Sequence, residues 1–197
     1  MTEQPGQTRA NLLAQMASHP SVTTDVLAGT ERQFKSSRLS GDPPIAYLEE
    51  SEAPAYVLTN QKKGIGLGTK RRTTTPDNGR GTITLVTGRR TLCLVGQDSS
   101  DEVVSVPHES VASVSAHTGL LANRLELRTP QKAYHCWVER TAPDSLLESV
   151  ATFIDERKSE DPVEVDRDDG ASRVTYRGNA VAPETDTDDS GASRSLE

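Results

Sequence analysis

Between residues 81 and 116 the chain reads GTITLVTGRRTLCLVGQDSSDEVVSVPHESVASVSA, a succession of short apolar runs separated by turn residues. The runs at 83–86 and 92–95 flank Thr87-Gly88-Arg89-Arg90, and two β-branched runs, 103–106 and 111–114, follow at short intervals. That spacing predicts a meander of antiparallel strands. Upstream, 55–60 and 64–68 read as strands, and in the second Ile65 and Leu67 alternate with glycine, the pattern of a strand approached closely by other backbone. A turn is expected over 73–79, where Pro76 and Asn78-Gly79 occur. Downstream, 123–129 alternates with Leu125 and Leu127 inward and Arg124, Glu126 and Arg128 outward. After Pro130-Gln131 the chain returns over 133–139, with Tyr134, Cys136 and Val138 on one face and His135 and Trp137 on the other.

At both ends the period changes from 2 to 3.6. Residues 8–17 place Leu12, Leu13 and Met16 on one side of a short helix that stops before Pro20. A second helical segment, capped by Ser21, carries Val22, Val26, Leu27 and Phe34 and is interrupted by Gly29. A third starts at Asp42-Pro43-Pro44, turns Ile45 and Leu48 inward and ends at Pro54. After the strands, Thr141-Ala142-Pro143-Asp144 caps a helix in which Leu146, Leu147, Val150, Phe153 and Ile154 recur over about three turns. The expected core is Leu85, Leu92, Leu94, Val104, Val114, Leu125, Leu127, Val150 and Phe153. Complete burial would make Phe153→Ala cost on the order of 3–5 kcal/mol.

Composition restricts how much of the chain shares that core. With 33% apolar and 4% aromatic residues, the 197 residues are too polar for one compact unit, which predicts one ordered domain with flanks. The expected division is a helical appendage over 1–41, a β-domain over 42–158 and a disordered acidic tail over 159–197, in which only 173–181 has any β-like character. The tail holds eleven of the 29 acidic residues and four of the 22 basic ones, a surplus equal to the −7 of the whole chain. Six lysines against 16 arginines, with abundant Thr, Asp and Glu, fit a salt-adapted cytoplasm. Cys93 and Cys136 lie in strand segments without metal-ligand spacing and read as small buried hydrophobes. No secretion signal, lipidation motif or apolar span is legible, so the expected location is cytoplasmic, with a peripheral place at the inner membrane surface left open.

The residues argue against catalysis. In Gly64-Ile65-Gly66-Leu67-Gly68 the sixth position of a dinucleotide loop is Thr69 and no helix pattern follows. His19, His108, His117 and His135 form no paired ligand motif, so no metal or cofactor is expected. His108-Glu109-Ser110 are sequence neighbours that cannot act as base, orienter and nucleophile in one turn. The chemically distinctive feature is a basic run: Lys62, Lys63, Lys70, Arg71, Arg72, Arg80, Arg89 and Arg90, against which only Asp77 stands between positions 60 and 90. Such a run attracts phosphates, anionic headgroups or acidic protein segments, or simply guards a sheet edge against aggregation.

Short strands closed by one C-terminal amphipathic helix form the element order of the pleckstrin-homology (PH) fold. The hairpin Leu85-Val86-Thr87-Gly88-Arg89-Arg90-Thr91-Leu92, followed by Val106-Pro107-His108-Glu109-Ser110-Val111-Ala112-Ser113-Val114, resembles the bacterial and archaeal PH-like (YokE-like) family over about residues 45–157. Gly88 departs from that family's acidic or amide residue. The resemblance implies a mostly β, half-open barrel of antiparallel strands closed by a C-terminal α-helix, and a non-catalytic binding or scaffolding module. A protein partner is the first expectation and an anionic membrane surface the second, approached through the basic region. Nucleic acid ranks last, because no aromatics are interleaved with the basic residues. An acidic tail tethered to the same chain would compete with an external polyanion. Deleting residues 159–197 is therefore expected to raise affinity for anionic vesicles or nucleic acid at low salt, measured by co-sedimentation. Unchanged affinity would refute the competition.

Overall fold

The computed structural model describes residues 5–31, 38–119 and 122–158. Phe34 and the tail lie outside the described residues. Nine strands are described: β1 (Pro54–Asn60), β2 (Ile65–Leu67), β3 (Thr73–Thr74), β4 (Thr82–Thr87), β5 (Arg90–Val95), β6 (Glu102–Pro107), β7 (Ser113–His117), β8 (Asn123–Arg128) and β9 (Ala133–Val138). They form two antiparallel sheets, ordered β1-β4-β5-β6 and β3-β2-β9-β8-β7. Helix α1 (Pro5–Met16), helix α2 (Thr24–Ala28) and a 3-10 turn (Pro44–Tyr47) precede the strands, and helix α3 (Asp144–Lys158) follows them.

One stretch of chain joins the two sheets. β1 pairs with β4 in the first sheet, turns a corner after Asn60, and continues as β2 beside β9 in the second. The corner holds because Asn60 Oδ1 accepts from the backbone N–H groups of Lys62 and Lys63 at 2.9 and 2.8 Å, an Asx turn that replaces ladder bonds. β9 bonds to the chain on both sides of it, Glu139 N–H to the Thr59 carbonyl and Trp137 N–H to that of Gly64. The glycines of 64–68 meet the sequence reading: a Cβ on Gly64 would stand 2.3 Å from the Thr74 carbonyl oxygen, and Gly68 has φ +77°. At the opposite edge β6 and β7 separate around a 3-10 turn at His108–Ser110, and α3 packs over β7, β8 and this turn. The result is a half-open barrel of antiparallel strands, mostly β and closed by a C-terminal helix.

The interior corrects the expected core. Leu58, Val86, Cys93, Val95, Leu125, Leu127, Cys136 and Val138 meet Leu146, Leu147, Val150 and Ile154 of α3 between the sheets. Leu85, Leu92 and Leu94 are buried, but on the other face of the first sheet. With Val57 and Ile83 they form a second core beneath Ala10, Val22, Val26, Leu27, Leu39, Ile45 and Leu48. Val104, Val114 and Phe153 are only partly buried. Phe153 lies at the rim, edge-on to Tyr56 with centroids 5.3 Å apart and with the Arg157 guanidinium 3.4 Å from its ring centroid, so the large cost expected of its truncation does not apply. Glu126 does face outward, yet it is 5% exposed, and His135 beside it is 6% exposed.

The N-terminal segments are built for this packing. Thr23 Oγ1 accepts from Val26 N–H to start α2, and Gly29, at φ 67°, ends it after little more than one turn. The segment starting at Pro44 is likewise one 3-10 turn instead of a helix reaching Pro54. Farther along, Asp101 ties the N-terminal segment to the loop after β5. Its carboxylate accepts from Ser40 N–H, Ser40 Oγ, Gly41 N–H and Gln97 N–H. Burial alone would raise the Asp101 carboxyl, but these bonds outweigh it and lower it. Ile154 is fully buried where α3 meets the sheets. We expect Ile154→Ala to cost on the order of 2–5 kcal/mol in chemical denaturation. A loss below about 1 kcal/mol would mean that α3 does not close the barrel.

Candidate interaction surface

The eight residues of the basic run do not form one face. Arg90 is a structural group at the β4–β5 hairpin. Its Nε and Nη2 donate to the two oxygens of Glu52 at 2.9 and 2.7 Å, and Nη2 also reaches the Tyr47 carbonyl. Glu52 is 4% exposed and takes a third bond from Thr87 Oγ1 at 2.7 Å. Burial by itself would raise the Glu52 carboxyl. The bonds from Arg90, Thr87 and Glu49 N–H, with the Arg90 charge, overcome it and bring the value to about 2. Arg89 pairs with Glu49 at 3.3 Å on the surface. Arg80 donates to the Leu39 carbonyl at 2.9 Å and pairs with Asp98. These three arginines fasten the N-terminal layer and its neighbouring loops to the barrel.

The cleft beside this hairpin, about 380 Å³, is lined by Glu49, Glu52 and Glu109 as well as by Arg89, Arg90 and Arg157. His108 at its base is 1% exposed and meets Thr91 Oγ1 through Nε2 at 3.0 Å. Burial, reinforced by Arg157, lowers its pKa to about 4, so the ring is neutral near pH 7. Ser110 donates instead to the Pro107 carbonyl, so His108 and Ser110 do not engage one another. Cys93 and Cys136 are both buried and free in the inner core. The neighbouring Cys93 thiol, then burial, push Cys136 well above the ordinary thiol range.

The remaining basic residues gather around the second sheet. Lys62 and Lys63 project from the corner and, with Arg140, line a surface cleft of about 460 Å³ that also includes Asn60, Gln61, Ala122, Val138, Glu139 and Thr141. Lys63 Nζ sits 4.0 Å from the centroid of Trp137, and the Arg124 guanidinium lies 5.6 Å from the same ring. Trp137 is held by its Nε1–H, which donates to Thr73 Oγ1 at 3.2 Å. At the other end of β2, the hairpin carrying Lys70, Arg71 and Arg72 is bound to β9 by Gly68 N–H and the Ala133 carbonyl, beside the turn bearing Lys132. Among the described residues, no carboxylate lies within ion-pair distance of Lys62, Lys63, Lys70, Arg71, Arg72, Lys132 or Arg140.

Across the middle of the sheet's outer face, Glu126 is bridged by Arg124 at 3.1 Å and Arg128 at 2.6 Å, and it is approached by His117 Nε2 at 3.1 Å and His135 Nδ1 at 3.5 Å. Strand register makes this possible, because Ser115↔Glu126↔His135 and His117↔Arg124↔Trp137 are neighbouring rows on three strands. Two imidazoles and a carboxylate converge here, but the guanidiniums occupy the carboxylate. Among the described residues no group of three or more His, Cys, Asp or Glu is placed to hold a metal ion. Arg124, Arg128, Lys132 and Arg140 lie 60 or more residues from Lys62 in the sequence, and only the strand order gathers them on the same sheet as Lys62 and Lys63.

No family model and no curated protein matches the chain, so the narrower resemblance to the YokE-like family stands on its hairpin residues alone. Among solved structures, the Vps36 N-terminal PH domain is similar at 16% identity and a TM-score of 0.43, over 59% of this chain and 87% of that chain. The architecture itself rests on the strand order and register described above.

The Glu52–Arg90 pair generates a pH prediction. A carboxyl held below its unfolded value of 4.5 stabilises the fold above that pH, and the contribution is lost as pH falls from about 4.5 to about 2. Glu52→Gln should lower stability near pH 7 by on the order of 3 kcal/mol and flatten this acid limb, read from denaturation midpoints across pH. An acid limb as steep as that of the unsubstituted protein would contradict the assignment.

Proposed function

We propose that the chain is a non-catalytic PH-like binding module that receives an acidic segment of a protein partner across the basic surface of its second sheet. The observation that carries this reading is the segregation of charge. The arginines of the first sheet and N-terminal layer are spent on internal partners, whereas Lys62, Lys63 and Arg140 line a cleft and, among the described residues, have no carboxylate at ion-pair distance, Glu139 of the same lining facing Arg38 at 3.9 Å instead. Unpaired cations beside a half-buried tryptophan favour a ligand offering both negative charge and an apolar or planar group, which acidic peptide segments do. A membrane surface is the second reading, since the same cations would meet anionic headgroups. No helix among the described residues is long and apolar enough to cross a membrane, and electrostatics alone gives marginal membrane binding.

A decaglutamate peptide should bind the full chain at low salt and weaken with added salt. Replacing Lys62, Lys63 and Arg140 together by Glu should lower that affinity at least about tenfold in calorimetric titration. These side chains are exposed, so the thermal midpoint should hold. Unchanged affinity would overturn the reading. Co-sedimentation of the unsubstituted chain with phosphatidylserine vesicles, lost in the triple variant, would transfer it to a membrane surface.

A further inference from the structure

We infer that this docking surface is strengthened by mild acid, because His117 and His135 share the carboxylate of Glu126 at its centre and gain charge beneath the bound acidic segment. The inference rests on the docking reading above and adds its regulation. From β8 come Glu126, Arg124 and Arg128; from β7, His117; from β9, His135; and from the corner before β2, Lys63 above Trp137. β2 and β3 contribute the uncharged Gly66 and Thr73. With both imidazoles neutral, the two arginines and Lys63 against Glu126 leave a surplus of two positive charges on this face. With both protonated the surplus is four, provided that Glu126 stays ionised.

Glu126 does stay ionised. Burial would raise its carboxyl, but Arg128, His135 and Arg124 outweigh that and hold it below the ordinary carboxylate range. The two imidazoles differ in exposure. The His117 side chain is 46% exposed and free to exchange with water, whereas that of His135 is 7% exposed, with Nδ1 facing Glu126 and no hydrogen bond of good geometry. Burial, Arg124, Arg128 and His117 lower the His135 pKa, while Glu126 raises it. An acidic segment laid over the face would replace part of the water around both rings with negative charge, which favours their protonated forms. By linkage, protonation favours the segment to the same degree.

The test is calorimetric titration of the full chain with decaglutamate at about pH 7.5 and about pH 5.5, an interval in which imidazoles change charge. The peptide loses charge slightly on acidification, so a rise in affinity belongs to the protein. The expected rise is at least about fivefold, the effect of one added charge at a partly desolvated surface. It should disappear in the His117→Gln, His135→Gln double variant, whose amides retain a hydrogen-bond donor for Glu126. Saturating peptide should also raise the protonation midpoint of the His135 ring followed by NMR, a readout that a purely structural role would not move. Equal affinity at the two pH values, or a rise that survives in the double variant, overturns the inference and leaves the docking reading standing. Absence of binding at both pH values overturns both.

Discussion

The two middle strands of the first sheet, β4 and β5, are buried on both faces, and most of the architecture follows from that. In β4 and β5 successive side chains point alternately into the barrel and into the layer formed by α1, α2 and the Pro44–Tyr47 turn, so Val86, Cys93 and Val95 belong to one core and Ile83, Leu85, Leu92 and Leu94 to another. A sheet with one wet face exposes every second position, and these two strands, buried at nearly every position, do not. Without the N-terminal layer, a row of large aliphatic side chains would face water. The layer is thus a structural part of the folded unit. Its fastenings are polar contacts, two of them made by arginines of the basic run: Arg90 with Glu52, Arg80 with the Leu39 carbonyl, and Asp101 with Ser40 and Gly41.

That arrangement leaves the second sheet as the exposed one. Its inner face meets α3 and the inner core, while its outer face carries charge on adjacent strands. Glu126 shows how a carboxylate is kept buried there. Two guanidiniums from its own strand, two residues away on either side, fold over it, and histidines from both neighbouring strands complete the shell. Such a cluster exceeds what an exposed salt bridge contributes, because the carboxylate is desolvated and shared among several donors. It also produces a sheet face that is cationic without being uniformly so.

Much of this molecule is a local consequence of its residues. Strand positions follow from period-2 alternation and β-branched runs, the turns from Pro76, Asn78-Gly79 and Pro130-Gln131, and α3 from the spacing of Leu146, Leu147, Val150 and Ile154, because each depends on neighbours within a few residues. The close approach at Gly64 and Gly66 was legible for the same reason, since a strand that alternates glycine has given up side chains to make room.

What no local pattern contains is which surface a given side chain meets. The runs at 83–86 and 92–95 state that those strands are buried, but not that two separate cores share them, which depends on helices more than 50 residues away. Lys62 and Arg90 look alike in a run of basic residues. The tertiary structure separates them by placing Glu52 against Arg90 and, among the described residues, no carboxylate within ion-pair distance of Lys62. Glu126, outward by its alternation, is buried because cross-strand register delivers His117 and His135 to it. The sequence determines periodicity and hence elements. Pairing across the sheets decides the partners, because desolvation and charge pairing act over distances in space that sequence separation does not encode.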